Sequence, residues 1–110
     1  MSDTPRIKNK DMRVKNNSVN FDLTSPMIKA LPVIDKVYNE YKEIAVITSA
    51  KDGHHMKNSK HYSGNAVDLR TRFWDKKTQI KVVALLQNTL GNNYDVVLES
   101  THIHLEYDPE

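Results

Sequence analysis

Met27, Leu31, Ile34, Tyr38 and Tyr41 recur at spacings of four, three, four and three, the stripe of an amphipathic helix. Thr24-Ser25-Pro26 marks its start, with Ser25 as N-cap and Pro26 at the first helical position. Pro32 lies inside the pattern, where a missing N–H and a bulky ring predict a bend or a restart. Ile44 to Thr48 is short, apolar and β-branched, and reads as a buried strand. The polar stretch from Ala50 to Lys60, containing Gly53, reads as a long loop. Asn65 to Thr71 resumes as a strand, with Ala66 and Asp68 on one face and Val67 and Leu69 on the other. Asp75 then caps a second helix, whose inner face is marked by Ile80, Val83, Ala84, Gln87 and Leu90. Gly91 follows where a left-handed C-cap is wanted. Tyr94 to Leu98 and Ile103 to Tyr107 complete the chain as strands. The order α-β-loop-β-α-β-β predicts an α+β fold, a small and mostly antiparallel sheet flanked by helices. Asn16, Asn17 and Asn20 precede these elements. Residues 1–20 are therefore expected to form a basic, loosely ordered arm ahead of a single domain over 21–110.

Composition narrows the chemistry. A chain of 110 residues supports one core and no second. Its longest apolar run, Val82 to Leu86, is far short of the ~18 residues that a membrane-spanning helix needs. There is no cysteine, so disulfides and thiolate zinc sites are excluded, and any metal must be held by His, Asp or Glu. With 16 Lys and Arg against 14 Asp and Glu the charge is too balanced for a nucleic-acid binder. The local excess of Arg6, Lys8, Lys10, Arg13 and Lys15 reads more simply as a solvated arm than as a contact for an anionic polymer. The first residues carry no apolar run of the kind a secretory leader needs, so the chain is expected to remain in the cytoplasm where it is made.

Three of the five histidines, His61, His102 and His104, fall in or beside strands, in the stretches Ser59 to Asp68 and Glu99 to His104. His61, Asp68 and a histidine of the second stretch would make a three-ligand nitrogen and oxygen site, the form in which catalytic zinc is usually held. Strand parity puts His102 and His104 on one face. His61 and Asp68 are out of phase and converge only if the chain turns between them, which Gly64 permits. Glu99 reaches the same side as His102 only if Ser100-Thr101 bends. Spacing alone leaves a metal site and ordinary surface histidines equally open.

The pattern Ser59-x-His61-x-x-Gly64-x-Ala66-x-Asp68, followed by His102-x-His104, resembles the LAS metallopeptidases. This group joins lysostaphin-type enzymes, D-alanyl-D-alanine metallopeptidases and the hedgehog signalling domain. The nearest resemblance, over residues 24 to 108, is to the D-alanyl-D-alanine carboxypeptidase family with its phage endolysins. The resemblance implies a hedgehog/D-Ala-D-Ala-peptidase-like fold and Zn2+ held by His61, Asp68 and a late histidine. Two family patterns overlap here. In one, a Glu three residues ahead makes His102 the ligand; in the other, the second histidine is the ligand and an apolar residue and an acid follow it. Leu105-Glu106 matches the second, so His104 is expected to ligate, with His102 beside the metal. Glu99 is implied as the general base and His102 as the group that steadies the oxyanion. Ser59, Tyr62 and Lys51 are implied near the substrate's carboxylate or behind the ligands. The implied activity is hydrolysis of a peptide bond in the stem peptide of bacterial peptidoglycan, either L-alanyl-D-glutamate or D-alanyl-D-alanine. A monomeric phage lysis enzyme reaching the wall after release, or a virion component, fits these features. A metal-binding module of the same fold without turnover is the alternative.

Overall fold

The computed structural model describes residues 12–15, 23–50 and 64–109. Seven elements follow in order: β1 (Arg13–Val14), α1 (Ser25–Glu40), β2 (Val46–Ser49), β3 (Ala66–Arg70), α2 (Lys76–Leu90), β4 (Tyr94–Leu98) and β5 (His102–Tyr107). Among the described residues this is an α+β domain, with four antiparallel strands, two helices and a short parallel strand at one edge. The sheet order is β1-β2-β3-β5-β4, so β3 and β5 are central although α2 and β4 separate them in the chain. No helix among the described residues is long and apolar enough to cross a membrane.

The core lies between the two helices and one sheet face. Met27, Ala30, Ile34, Val37 and Tyr38 of α1 are buried, which is the stripe that its sequence period demands. They pack with Ile47, Val67, Leu69, Val96, Ile103 and Leu105, the residues that the pleat turns toward the helices. The N-cap of α1 is Thr24 rather than Ser25, and its side chain makes no cap. The Thr24 hydroxyl instead hydrogen-bonds Asn65 Oδ1 at 2.6 Å, and its N–H donates to the Gly64 carbonyl at 3.0 Å. These bonds fix the start of α1 against the entry to β3. Gly64 has φ +79°, a backbone setting that side-chain-bearing residues rarely adopt, so the expected turn is made there. α1 runs through Pro32 as one helix without a restart. Pro32 is exposed, so its ring and missing donor face solvent rather than the core.

The second helix is rotated from its expected phase. Its buried residues are Val82 and Leu86, while Ile80 is 56 % exposed and Ala84 is exposed. Five consecutive apolar residues give every side of this helix something to bury, so periodicity does not select one side. Hydrogen bonds do. Gln79 Nε2 donates to the carbonyls of Thr71 and Trp74, at 3.2 and 2.9 Å. Gln87 Nε2 donates to those of Gly91 and Tyr94, at 3.1 and 2.7 Å, and Gln87 Oε1 accepts from the Val96 N–H at 3.0 Å. At the N-terminus Asp75 caps the helix by accepting from the Thr78 N–H at 2.8 Å, which lowers its pKa. Gly91 closes the helix with φ +90° but extended ψ, so positive φ is used without a full left-handed turn.

The sequence pattern gave no strand at Arg13–Val14. The backbone nonetheless pairs parallel to β2, with the N–H groups of Arg13 and Lys15 donating to the carbonyls of Ala45 and Ile47, both at 2.8 Å. At the far end of β3 the buried Tyr38 hydroxyl donates to the Arg70 carbonyl at 2.8 Å. The Tyr38 ring lies 4.6 Å from that of Trp74 and 6.2 Å from that of Phe73, centroid to centroid. Burial drives the Tyr38 pKa far above the usual phenol range, so it is a donor at every physiological pH.

Candidate metal centre

The sheet face turned away from the helices is polar, and the register determines which side chains meet on it. Ala66 pairs with Glu106, Asp68 with His104 and Arg70 with His102. Alternation puts Ala66, Asp68 and Arg70 of β3 on that face beside His102, His104 and Glu106 of β5. Directly opposed residues in an antiparallel pair have Cβ atoms about 4.5–5.5 Å apart, close enough for short polar side chains to touch.

They do touch. Asp68 Oδ1 lies 3.1 Å from His104 Nδ1, and His104 Nε2 lies 2.8 Å from Glu106 Oε1. The imidazole is thus held between two carboxylates, one at each nitrogen. Its pKa rises to about 9: the Asp68 hydrogen bond is the largest cause, burial opposes it, and Glu106 adds to it. Without a metal, His104 is therefore a cation at neutral pH that donates from both nitrogens. On the other side of the same carboxylate oxygen, His102 Nε2 stands 3.6 Å away. Its Nδ1 is 3.0 Å from the Thr101 hydroxyl, which orients the ring. Asp68 is 8 % exposed, a burial tolerated because imidazoles flank it.

The donor set suits a divalent zinc ion. Tetrahedral zinc with bonds of about 2.0–2.1 Å places its ligand atoms about 3.3 Å apart. Asp68 Oδ1 and His104 Nδ1, 3.1 Å apart, are an oxygen and a nitrogen of the types zinc takes. Glu106 behind Nε2 is the other half of the fit. With a metal bound, a carboxylate there would keep the proton on Nε2 and leave the Nδ1 lone pair free to ligate. Asp68, His102 and His104 do not together form a closed triad. Among the described residues the one group whose ligand atoms all lie within 4.8 Å of one another is Asp95, Glu106 and Asp108, at the other end of β5.

Glu99 and His102 sit opposite each other where β4 turns into β5. The Glu99 N–H donates to the His102 carbonyl at 2.8 Å, and the chain bends at Ser100-Thr101 between them. Glu99 is exposed. His61, Ser59, Lys51 and Tyr62 lie outside the described residues. The sequence reading named Glu106 as the acid that follows the ligand but gave it no contact with His104, and it missed the acidic cluster. Glu106 is in phase with His102 and His104, so extending their parity argument by two residues finds it. The acidic cluster joins β4 to the residues after β5, and only the strand register reveals it.

Neither the models of known protein families nor the characterised proteins compared with this chain give a match.

Proposed function

We propose that this chain is a zinc-dependent peptidoglycan hydrolase with a hedgehog/D-Ala-D-Ala-peptidase-like fold, cutting a peptide bond in the stem peptide. The observation that carries the reading is the Asp68–His104 pair with Glu106 behind it. It joins the late histidine to the aspartate of the Ser59-to-Asp68 motif on one sheet face. The α+β order supports the same reading.

On this proposal Asp68 and His104 hold the metal with His61 as third ligand. Zinc bound there supplies Lewis-acid activation of a water molecule and of the scissile carbonyl. Glu106 fixes the His104 ring and its tautomer. Glu99 takes the proton of the attacking water and returns it to the leaving amine. His102, oriented by Thr101 and facing Asp68, donates a hydrogen bond to the oxyanion that forms at the carbonyl. Ser59, Tyr62 and Lys51 hold the substrate or support the ligands. Either L-alanyl-D-glutamate or D-alanyl-D-alanine is the bond cut. The enzyme is a monomer made in the cytoplasm that meets the wall during phage lysis.

Purified sacculi incubated with zinc-loaded protein, and with a chelator-treated control, test the proposal by mass spectrometry of the soluble products. A new D-glutamate amine or free D-alanine, abolished by the chelator, is the expected result. Asp68→Ala loses both zinc and product, whereas Glu99→Ala keeps zinc and loses product. A zinc-loaded protein that releases nothing from several wall chemistries overturns the peptidase and leaves a metal-binding module. A fully active Glu99→Ala overturns Glu99 as base.

A further inference from the structure

Past Asp68 the same sheet face becomes basic. Arg70 stands across from His102 and, with Lys15, Arg72, Thr71 and Ser100, borders an open depression of about 510 Å³. The chain as a whole is nearly balanced, with a net charge of +2, yet among the described residues no acid lines this depression. Among the described residues no carboxylate lies within ion-pair distance of Lys15, Arg70 or Arg72. Arg70 is half-buried and its backbone is clamped from below by the Tyr38 hydroxyl, so its position is fixed by the core.

Thr71 gives a second, independent observation. It is 2 % exposed and lines the depression. Its carbonyl is used by the Trp74 N–H and by Gln79, but its hydroxyl has no hydrogen-bond partner among the described residues. Buried hydroxyls are nearly always paired, and one left over in the wall of a basic depression points to an acceptor arriving from outside. Cations and a buried hydroxyl that meet no partner among the described residues together describe a receptor for an oxygen anion.

We propose that Lys15, Arg70 and Arg72 form an oxyanion subsite beside the Asp68–His104 pair, taking a carboxylate or a phosphate. Two residues along a strand span about 6.7 Å, which sets the distance from Asp68 to Arg70 along β3. An extended substrate covers about 3.3–3.6 Å per residue. On the peptidase reading, which gives this subsite its role, the pocket holds an anionic group within about two residues of the bond cut. It therefore favours stem peptides with a free carboxylate over amidated ones.

The test is a titration of the 15N-labelled full chain with inorganic phosphate and, separately, with acetate, at low salt and in both metal-free and zinc-loaded protein. Saturable shifts at the amides of residues 15, 70–72 and 100–102 are expected in both metal states. Arg70→Gln should weaken the affinity by about tenfold or more, the loss of a charge-assisted hydrogen bond. Arg72→Gln should weaken it in the same direction and keeps the test open should Arg70→Gln disturb the fold. Lys36→Gln, a cation on α1, should change nothing. Tighter saturation by phosphate or by acetate assigns the class of anion. Shifts that never saturate, or that Arg70→Gln and Arg72→Gln leave intact, overturn the subsite. So do shifts that occur only with zinc bound, because the anion then sits on the metal. None of these readouts uses turnover, so failure of the peptidase and failure of the subsite remain distinct.

Discussion

Replacing Glu106 by glutamine removes a charge and keeps the shape of the side chain. The amide oxygen can still accept from His104 Nε2 across the 2.8 Å contact, so the ring stays in place. What changes is the strength of that contact. A hydrogen bond to a charged group contributes about 1.5–3 kcal/mol, against about 0.5–1.5 for a neutral one. The difference of about 1–1.5 kcal/mol corresponds to a loss of about five- to twelvefold in zinc affinity, at about 1.4 kcal/mol per tenfold. Glu106→Ala removes the acceptor as well, and its loss belongs in the range of about 10–100-fold seen when the partner behind a metal ligand is deleted. Competition against a chromogenic zinc chelator at pH 7.5 measures both. The expected order of affinity is wild type, then Glu106→Gln, then Glu106→Ala. Asp95→Asn, which alters the acidic cluster without touching His104, should match wild type. In the metal-free protein the His104 pKa, followed by NMR, should fall from about 9 in Glu106→Gln yet stay above 6.5, because Asp68 still holds Nδ1. Unchanged zinc affinity in both Glu106 variants would refute the assignment of His104 as ligand. A loss in Asp95→Asn equal to that in Glu106→Ala would move the metal to the acidic cluster.

Two further outcomes are expected. His104 has a folded pKa of about 9 against an ordinary 6.5, so its stabilising contribution is complete below pH 6.5 and is lost as pH rises through 9. Thermal melts of the chelated protein should therefore fall from pH 6.5 to 9, and Asp68→Asn should flatten that slope; a rise with pH contradicts it. Leu86→Ala should cost about 2–5 kcal/mol in urea unfolding, the range for a buried leucine. Ile80→Ala, at an exposed position, should stay within about 0.5 kcal/mol, and equal losses would contradict the phase of α2.

The parts of the fold that were legible are those where one period dominates. Met27, Ile34 and Tyr38 mark the buried side of α1, and Lys29, Asp35, Lys36 and Asn39 mark its polar side. Val67 and Leu69 alternate with Ala66 and Asp68, so the polar face of β3 follows from parity alone. α2 was misphased for the opposite reason: Val82 to Leu86 has no polar residue to break the tie, and side-chain amides at Gln79 and Gln87 set the rotation. β1 is two residues long, too short for any period, and owes its place to backbone bonds with β2. The N-cap is Thr24 rather than Ser25, and its hydroxyl is spent on Asn65 instead of capping the helix. At the site, the residue types were readable but the partner of each nitrogen of His104 was not, since that depends on which residue of β3 stands opposite.

That pairing has a consequence for biosynthesis. Asp68 and His104 are 36 residues apart, and the strands that carry them are neighbours only after α2 and β4 have been laid down between them. Synthesis proceeds from the N-terminus at about 5–20 residues per second, so the emerging chain carries Asp68 for several seconds with no His104 to meet it. A ribosome-bound or truncated chain lacking β5 thus has Asp68 without its histidine. The Asp68–His104 contact arises together with the last central strand of the sheet, and it reports that folding has been completed.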